Sequence, residues 1–271
     1  SGYIFCAFIL LFAGIYTMVI NLKEGYANFE YVLDSMSFIF LIAVPILSMK
    51  IISEEKRQKT DQLLYSLPLS MTQVVMGKYL AMITVLLIPC AVMGIYPLLL
   101  SVYGKVTLLT SYASLLAFFC LGAALLSIGL FISSLTESQA VSAVLCLIAM
   151  LVNYFISALA SYVSASSVAT FIVFMLLVIL VALLIYFMSK NTIISLFFSI
   201  ISFAALLIMK FTMVEKFQNM LPGMMKKLSV FERFYTFTGG LFDLTSLVYF
   251  ALVTIVFLFL TIQSMEKRRW S

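Results

Sequence analysis

The chain has 271 residues, of which 64% are hydrophobic and only 10% are charged, and its mean hydropathy is +1.19. Soluble domains average about 45–50% apolar and about 25% charged residues, so the composition excludes a soluble globular protein and indicates an integral membrane protein. The net charge is +5, the chain has no histidine, and its four cysteines lie singly in apolar runs, so neither a disulfide framework nor a metal site is predicted.

Long apolar runs predict an all-α polytopic membrane bundle of about eight transmembrane helices. A helix needs ~20 residues to cross the hydrocarbon core, and these runs are continuous rather than alternating. The predicted spans cover residues 3–20, 36–52, 79–101, 111–133, 139–160, 168–189, 192–209 and 245–264. We treat residues 1–271 as one transmembrane domain. The first residues, "SGYIFCAFILLF", lack the features of a secretory signal, and we expect a further N-terminal stretch of unknown length before them.

Basic residues set the predicted orientation. They cluster after the second span, after the sixth span and at the chain end, at Lys50, Lys56, Arg57, Lys59, Lys78, Lys190, Lys267, Arg268 and Arg269. Eight spans place all of these on one side, which the positive-inside rule predicts to be cytoplasmic, with both termini. The opposing evidence is the outer segment 210–243, which carries five basic residues. The amino-acid composition is compatible with a bacterial protein, and we expect the chain to lie in the bacterial cell membrane.

The segment 53–78 is dense in charge of both signs. We predict a helix from Ser53 to Leu67 with Ser53 as its N-cap and Glu54 and Glu55 in the first turn. Pro68 ends this helix. Ser70 and Gln73 then form a capping box that starts the next helix, which continues into the third span.

Two interpretations of this segment stay open. It is either a loop that only fixes orientation, or a docking helix for a soluble partner. Orientation alone needs lysines, whereas Glu54, Glu55 and Asp61 add acidic charge, which favours docking.

The outer segment 210–243 predicts amphipathic helices in the membrane interface, with breaks at Pro222-Gly223 and Gly239-Gly240. Its aromatic part predicts either an outer gate or a simple membrane anchor. The gate candidates are Phe231, Phe234, Tyr235, Phe237, Gly239 and Gly240.

The stretch "SEEKRQKTDQLLYSLPLSMTQVVMGKYLA" resembles the cytoplasmic signature of type-2 permeases of ATP-binding-cassette (ABC) transporters, particularly the gliding-motility-type branch. The matching positions are Glu54, Glu55, Lys56, Arg57, Thr60, Leu63, Leu64, Pro68, Gly77 and Lys78. Lys59 stands where the family usually has glycine, and Asp61-Gln62 stands where the family usually has glutamate.

Two further stretches carry the same resemblance. They are "FERFYTFTGGLFDLTSLVYFALVTIVFLFLTIQSMEKRRW", with the Asp243-Leu244 turn, and "SSLTESQAVSA" at 133–143, which resembles the turn between the fourth and fifth spans. The family core has six spans, so the resemblance implies that two of the eight, spans six and seven, are an elaboration.

The resemblance implies a permease that pairs with a second permease copy and binds two ABC ATPase subunits. It assigns ATPase coupling to the segment Ser53–Leu67, specifically to Glu54, Glu55, Lys56, Arg57, Thr60, Asp61, Leu63 and Leu64. The sequence contains no G-x-x-x-x-G-K-[ST] motif, so ATP and Mg are expected on the ATPase chain, and this chain is not expected to be an enzyme. Membrane lipid is a further expected partner, and nucleic acid is not.

The membrane interior argues against ion-coupled carriers and charge-selective channels. No charged residue lies between Glu137 and Lys190, whereas such proteins usually carry ionisable residues near the midplane.

Asn153 is either a pathway residue or the donor or acceptor of an interhelical hydrogen bond. The small residues Gly122, Ala123, Ser127 and Gly129 serve either bundle packing or dimerisation. Pro45, Pro89 and Pro97 are possible kinks.

Together these features predict the membrane subunit of an ATP-driven exporter of a hydrophobic or amphipathic substrate. The alternative is a non-transporting scaffold or sensor that docks a soluble partner through the charged segment.

Overall fold

A computed structural model of the chain describes residues 2–60, 69–162 and 214–269, together with 168, 170–176, 178–179, 182, 199, 201–204 and 206–210. Contacts divide the chain into two compact units. Unit 1 comprises Ser1–Tyr154 and Val230–Ser271, and unit 2 comprises Phe155–Ser229. The described residues form helices and connecting turns, as the apolar composition predicts.

The helices follow one another with short connections. In chain order they are α1 (Gly2–Tyr16, continued by a π-helical turn over Thr17–Lys23), α2 (Glu30–Met36), a 3₁₀ turn (Ser37–Ile39), α3 (Phe40–Ser48), α4 (Ser53–Gln58), α5 (Met71–Met93), α6 (Tyr96–Tyr103), α7 (Leu108–Leu135), α8 (Gln139–Tyr162), α9 (Val214–Leu228), α10 (Val230–Thr238) and α11 (Leu244–Arg269).

Six helical stretches in the described chain are long and apolar enough to cross a membrane. They are Gly2–Lys23, Glu30–Gln58, Met71–Tyr103, Leu108–Leu135, Gln139–Tyr162 and Leu244–Arg268. The all-α polytopic bundle predicted from sequence is therefore confirmed. The other two predicted spans, 168–189 and 192–209, lie half outside the described residues.

The second span begins six residues before its predicted start, at Glu30 rather than residue 36. Two carboxylates, Glu30 and Asp34, fall inside it and are satisfied by hydroxyl groups. Ser111 Oγ donates to Glu30 at 2.9 Å, and Thr238 Oγ1 donates to Asp34 at 2.8 Å. A helix tolerates buried polar groups that are hydrogen-bonded, so these residues lengthen the helix instead of ending it.

The third span is interrupted near the predicted kink at Pro97. α5 ends at Met93 and α6 starts at Tyr96 with Pro97 in its first turn. Proline has no N–H, so the Met93 carbonyl has no helical donor four residues later. Pro45 and Pro89 lie inside α3 and α5 without ending either helix.

α7 is the central helix of unit 1, in contact with α2, α3, α5, α10 and α11. Two glycines let its neighbours approach. A methyl group on Gly122 would lie 2.8 Å from a Leu86 methyl, and one on Gly129 would lie 2.5 Å from the Ser48 hydroxyl oxygen. The small-residue face of α7 therefore packs within the chain, which supports the packing interpretation over dimerisation for these two positions.

Unit 2 contains α9 and part of the apolar segment between α8 and α9. Thr170 Oγ1 donates to the Gln218 carbonyl at 3.4 Å, and the Lys210 ammonium lies 4.7 Å from the Phe171 ring centroid. The predicted break at Pro222-Gly223 is wrong, because α9 continues through both residues. One proline removes one backbone hydrogen bond and can bend a helix without ending it.

Candidate functional site

The charged helix α4 forms the last part of the second membrane-spanning stretch, Glu30–Gln58. We call the end of unit 1 that carries α4 the charged end, and the end that carries residues 24–29 and 104–107 the distal end. The two lie at opposite ends of the continuous helical stretch Glu30–Gln58.

α4 is capped by a residue from another span, and the predicted N-cap is wrong. Ser53 is the first helical residue, and its hydroxyl donates back to the Met49 carbonyl. The N–H groups of Ile52 and Ser53 donate instead to Ser133 Oγ on α7, at 3.2 and 3.1 Å. Ser133 thus satisfies two backbone donors that a helix start leaves without an intrahelical partner.

The other end of α4 closes with a Schellman motif. Lys59 has φ 57°, a left-handed conformation. Its N–H donates to the Lys56 carbonyl and the Thr60 N–H donates to the Glu55 carbonyl. α4 therefore ends at Gln58, whereas residues 61–67 of the predicted helix lie outside the described residues. The left-handed position coincides with the one where the family usually has glycine.

Lys56 points into the protein. It is 5% exposed, and its ammonium donates to the backbone carbonyl of Ser134 on α7. The same carbonyl accepts from Ser264 Oγ of α11 at 3.3 Å. One carbonyl oxygen thus joins α4, α7 and α11.

Glu55 connects α4 to α5. It forms an ion pair with Lys78, whose ammonium also donates to the Ile51 carbonyl at 3.2 Å. Both side chains are largely shielded, at 16% exposure for Lys78 and 30% for Glu55, so the pair is screened less than a surface pair. α4 is therefore bonded directly to α5 and α7, and it shares the Ser134 carbonyl of α7 with α11.

Other members of the segment face outward. Arg57, Gln58 and Lys59 are exposed, and Gln58 Nε2 donates to Glu54 Oε1 at 3.3 Å. The predicted coupling residues therefore include an exposed residue, Arg57, and an inward group, Glu55 and Lys56, while Glu54 is half-buried and bonds to Gln58 of the same helix. Thr60 is half-buried. Asp61, Leu63 and Leu64 lie outside the described residues.

The predicted capping box at the start of α5 is confirmed. Gln73 N–H donates to Ser70 Oγ at 3.3 Å, and Ser70 N–H donates to Gln73 Oε1 at 3.1 Å. Elsewhere in unit 1, Arg268 pairs with Glu137 at 2.6 Å, which ties the end of α11 to the turn 133–143.

Four of the six predicted gate residues, the three phenylalanines and Tyr235, lie on α10, which packs inside unit 1 toward its distal end, and Gly239 and Gly240 follow the helix. Phe231, Phe234 and Phe237 are at most 1% exposed, and the Phe234 ring lies 6.0 Å from that of Phe118. Tyr235 shares a 3.2 Å hydrogen bond with Ser37. This burial disfavours a simple membrane anchor, because the three phenylalanines contact protein instead of lipid.

Both ends of α10 have specific connections. Asn153 Oδ1 accepts from the Val230 N–H at 3.0 Å, which caps the start of α10. At the other end, Thr238 bonds to Asp34, and Gly240 adopts φ +84° after Gly239, at the predicted break. Asn153 thus forms the interhelical hydrogen bond that the sequence suggested as one alternative, while its pathway role stays a prediction.

Asp243 caps the last span, at the position where the sequence resemblance placed a turn. It accepts from Ser246 Oγ at 2.7 Å and from the Thr245 N–H at 2.9 Å. These bonds, first that of Ser246 and then those of Thr245, lower the pKa of the Asp243 carboxyl.

The charged helix joined to several apolar helices is the arrangement that the permease resemblance implies. The sequence model described as ABC-2 family transporter protein matches residues 15–169, more than half of the chain. The chain belongs to this family. No curated protein and no solved structure matches it.

Membership in the ABC-2 transporter family makes the chain a type-2 ABC permease, a multi-pass membrane component of a transporter that is not itself the catalytic subunit. The matched region contains α4 and the turn 133–143. The gliding-motility branch stays a prediction.

Sequence reasoning missed the side chains that hold α4 in place. Ser133, Ser134 and Ser264 are serines in apolar spans, with no local pattern that distinguishes them from packing residues. The one available signal was that Ser133-Ser134 open the quoted motif "SSLTESQAVSA", whose resemblance placed it at the same membrane side as α4.

Proposed function

We propose that this permease is the membrane subunit of an ATP-driven exporter, working as a dimer with two separate ATPase subunits. Each ATPase binds the exposed face of α4, and the two permease copies enclose the pathway. ATP and Mg²⁺ bind to the ATPase subunits. The charged end faces the cytoplasm, as the basic residues predict.

The observation that carries the proposal is the division of α4 into two faces. Arg57, Gln58 and Lys59 are exposed and form a charged surface that a soluble subunit can contact. Glu55 and Lys56 point inward and bond to α5 and α7. A loop that only set orientation would need no inward ion pair and no bond to a neighbouring span.

Force applied to α4 has a defined route into the membrane. The Glu55–Lys78 pair moves α5, and the bonds from Lys56 and to Ser133 move α7. These contacts carry the force to the central helix α7 and, through Ser264, to α11. Packed helices respond to such a load by shifting together as rigid elements.

The substrate we propose is hydrophobic or amphipathic. The long uncharged interval after Glu137 gives no site for an ion-coupled mechanism, and the exposed side chains of α5, α8 and α11 are predominantly apolar. In a dimer, part of this apolar surface lines the pathway and the rest contacts lipid.

We assign outer gating to α10. Its three buried phenylalanines fill the space beside α7, and its ends are held by Asn153 and Asp34. A displacement of α7 would therefore disturb α10 directly, since the two helices pack against each other.

The test is ATPase binding and coupling in lipid. We would co-express the permease with its ATPase and compare wild type with the double variant Arg57→Glu, Lys59→Glu. We expect at least a tenfold loss of ATPase affinity with unchanged thermal unfolding, since both side chains are exposed. The matched control is Lys105→Glu, an exposed lysine at the distal end, which should leave affinity unchanged. Normal ATPase binding by the double variant, or failure of any ATPase to bind wild type, would contradict the proposal.

A further inference from the structure

A cleft of about 410 Å³ opens at the distal end of unit 1, away from the charged helix. Three tyrosines and two carboxylates line it, with two aliphatic side chains and a serine. The tyrosines are Tyr16, Tyr26 and Tyr31, and the carboxylates are those of Glu24 and Asp34. The coupling mechanism uses none of these residues, and the proposed gate uses only Asp34, as the partner of Thr238.

The cleft has an unbalanced charge. The whole chain has 16 basic and 11 acidic residues, yet the cleft lining contains two carboxylates and neither lysine nor arginine. Within the described residues, neither Glu24 nor Asp34 forms an ion pair. Asp34 is held in place by the Thr238 hydroxyl, which donates to one of its two oxygens at 2.8 Å. A positive ligand group would meet no lysine or arginine among the described lining residues.

The tyrosine wall is built into the fold. Asn21, only 7% exposed, donates from its side-chain amide to the Tyr26 carbonyl at 2.6 Å and to the Asn28 carbonyl at 3.2 Å. The Tyr26 N–H donates in turn to the Ile20 carbonyl at 3.2 Å. These bonds fix the short loop that places the Tyr26 ring 5.3 Å from the Tyr31 ring, centroid to centroid, at 54°.

We propose that this cleft binds an organic cation, an ammonium group that carries apolar substituents. Aromatic faces attract such groups through the ring quadrupole, and nearby carboxylates add Coulombic attraction. Bare Ca²⁺ fits the site poorly, because it takes six to eight oxygen ligands whereas tyrosine rings and aliphatic groups form most of this lining. The cation is either a soluble amine or the ammonium headgroup of a membrane lipid.

This binding site stands apart from the proposed exporter function, because binding needs neither the ATPase nor transport. It does touch the gate helix: Asp34 accepts from Thr238, the last residue of α10. A cation bound to Asp34 would therefore be connected to α10 through the Asp34 side chain.

The experiment measures choline binding to the full chain in nanodiscs made of phosphatidylglycerol, by saturation-transfer NMR of the choline methyl groups. The comparison ligand is 3,3-dimethylbutan-1-ol, a neutral molecule of the same shape. We expect choline to bind at least tenfold more tightly than this alcohol. Equal binding of the two would overturn the proposal, because shape and apolar contact would then account for all of it.

Matched variants locate the site. Tyr31→Leu should weaken choline binding about tenfold, whereas Tyr31→Phe keeps an aromatic face and should retain binding. Asp34→Asn keeps the acceptor for Thr238 but removes the charge and should also weaken binding about tenfold. The exposed Glu24→Gln gives a second charge test that does not depend on Asp34. Wild-type affinity in Tyr31→Leu, Asp34→Asn and Glu24→Gln together would overturn the assignment.

The same titration in phosphatidylcholine nanodiscs identifies the occupant. Weaker choline binding there than in phosphatidylglycerol indicates that the lipid headgroup already fills the cleft. Equal binding in the two membranes indicates a soluble cation. Both results support the site and differ only in the source of its ligand.

Discussion

The ammonium of Lys56 donates to the backbone carbonyl of Ser134, although 78 residues separate the two. Lys56 was predicted to contact an ATPase, yet it is 5% exposed and its partner lies at the end of the central helix α7. Because Ser264 of α11 donates to the same carbonyl, this oxygen links three helices at the charged end. In the proposed mechanism, Lys56 therefore passes motion from α4 to the other helices and does not itself bind the ATPase.

We expect Lys56→Met to uncouple ATP hydrolysis from transport while the ATPase still binds. The methionine keeps most of the apolar stem but removes the charged donor, which should lower the free energy of unfolding by about 1–3 kcal/mol. The measurements are a denaturant titration of the purified permease, ATPase affinity, and the ratio of substrate moved to ATP hydrolysed.

Arg57→Met is the control for that experiment, because Arg57 is the exposed neighbour. It should change the free energy of unfolding by less than about 0.5 kcal/mol and reduce ATPase affinity instead. Were the two variants to show the same pattern of effects, the division of α4 into an inward and an outward face would be wrong.

Ser133→Ala should destabilise the charged end more than Ser134→Ala. Ser133 Oγ accepts from two buried backbone N–H groups at the start of α4, and its loss leaves both without an acceptor, at a cost of about 1–3 kcal/mol. Ser134 Oγ bonds only within its own helix, to the Phe131 carbonyl, so its removal should cost little. Hydrogen exchange of the Ile52 and Ser53 amides checks this directly, and unchanged protection in Ser133→Ala would refute the cap.

Gly129→Ala should destabilise the bundle because its methyl group would lie 2.5 Å from the Ser48 oxygen and 2.7 Å from the Ser48 Cβ. Overpacking of this kind costs about 1–3 kcal/mol. Adding Ser48→Gly removes both clashing atoms and should restore part of the loss in a denaturant titration.

Gly77→Ala is the matched control for this substitution. Gly77 is also helical, but a methyl group there meets nothing within 4 Å. Alanine is the better helix former, so this variant should gain up to about 1 kcal/mol. Equal losses at positions 77 and 129 would show that the effect is not the close approach of α3 and α7.

The features that could be predicted from the sequence are those formed by residues close to each other along the chain. Ser70 and Gln73 are three residues apart, so their capping box was visible as a pattern and is confirmed. The N-cap at Ser53 was wrong because the actual acceptor, Ser133, comes from a distant part of the chain. The six described spans followed from apolar length alone.

The candidate site was predictable in position but not in its division of roles. Sequence and resemblance placed Glu55 and Lys56 in one coupling segment with Arg57, and nothing in their spacing showed which side chains turn inward. That depends on where the ends of α5, α7 and α11 offer partners, and helix packing decides this rather than local propensity.

Lys59→Gly should stabilise the end of α4. Lys59 holds φ 57°, and a left-handed conformation costs an L-residue roughly 1–2 kcal/mol that glycine does not incur. The variant should therefore raise the free energy of unfolding, by up to about 1 kcal/mol once the greater freedom of glycine in the unfolded chain is subtracted. Gln58→Gly, one residue earlier and still helical, should lower it by about 0.5–1 kcal/mol. Opposite signs at adjacent positions in one denaturant titration would establish the Schellman motif, and a loss at both would exclude the left-handed conformation of Lys59.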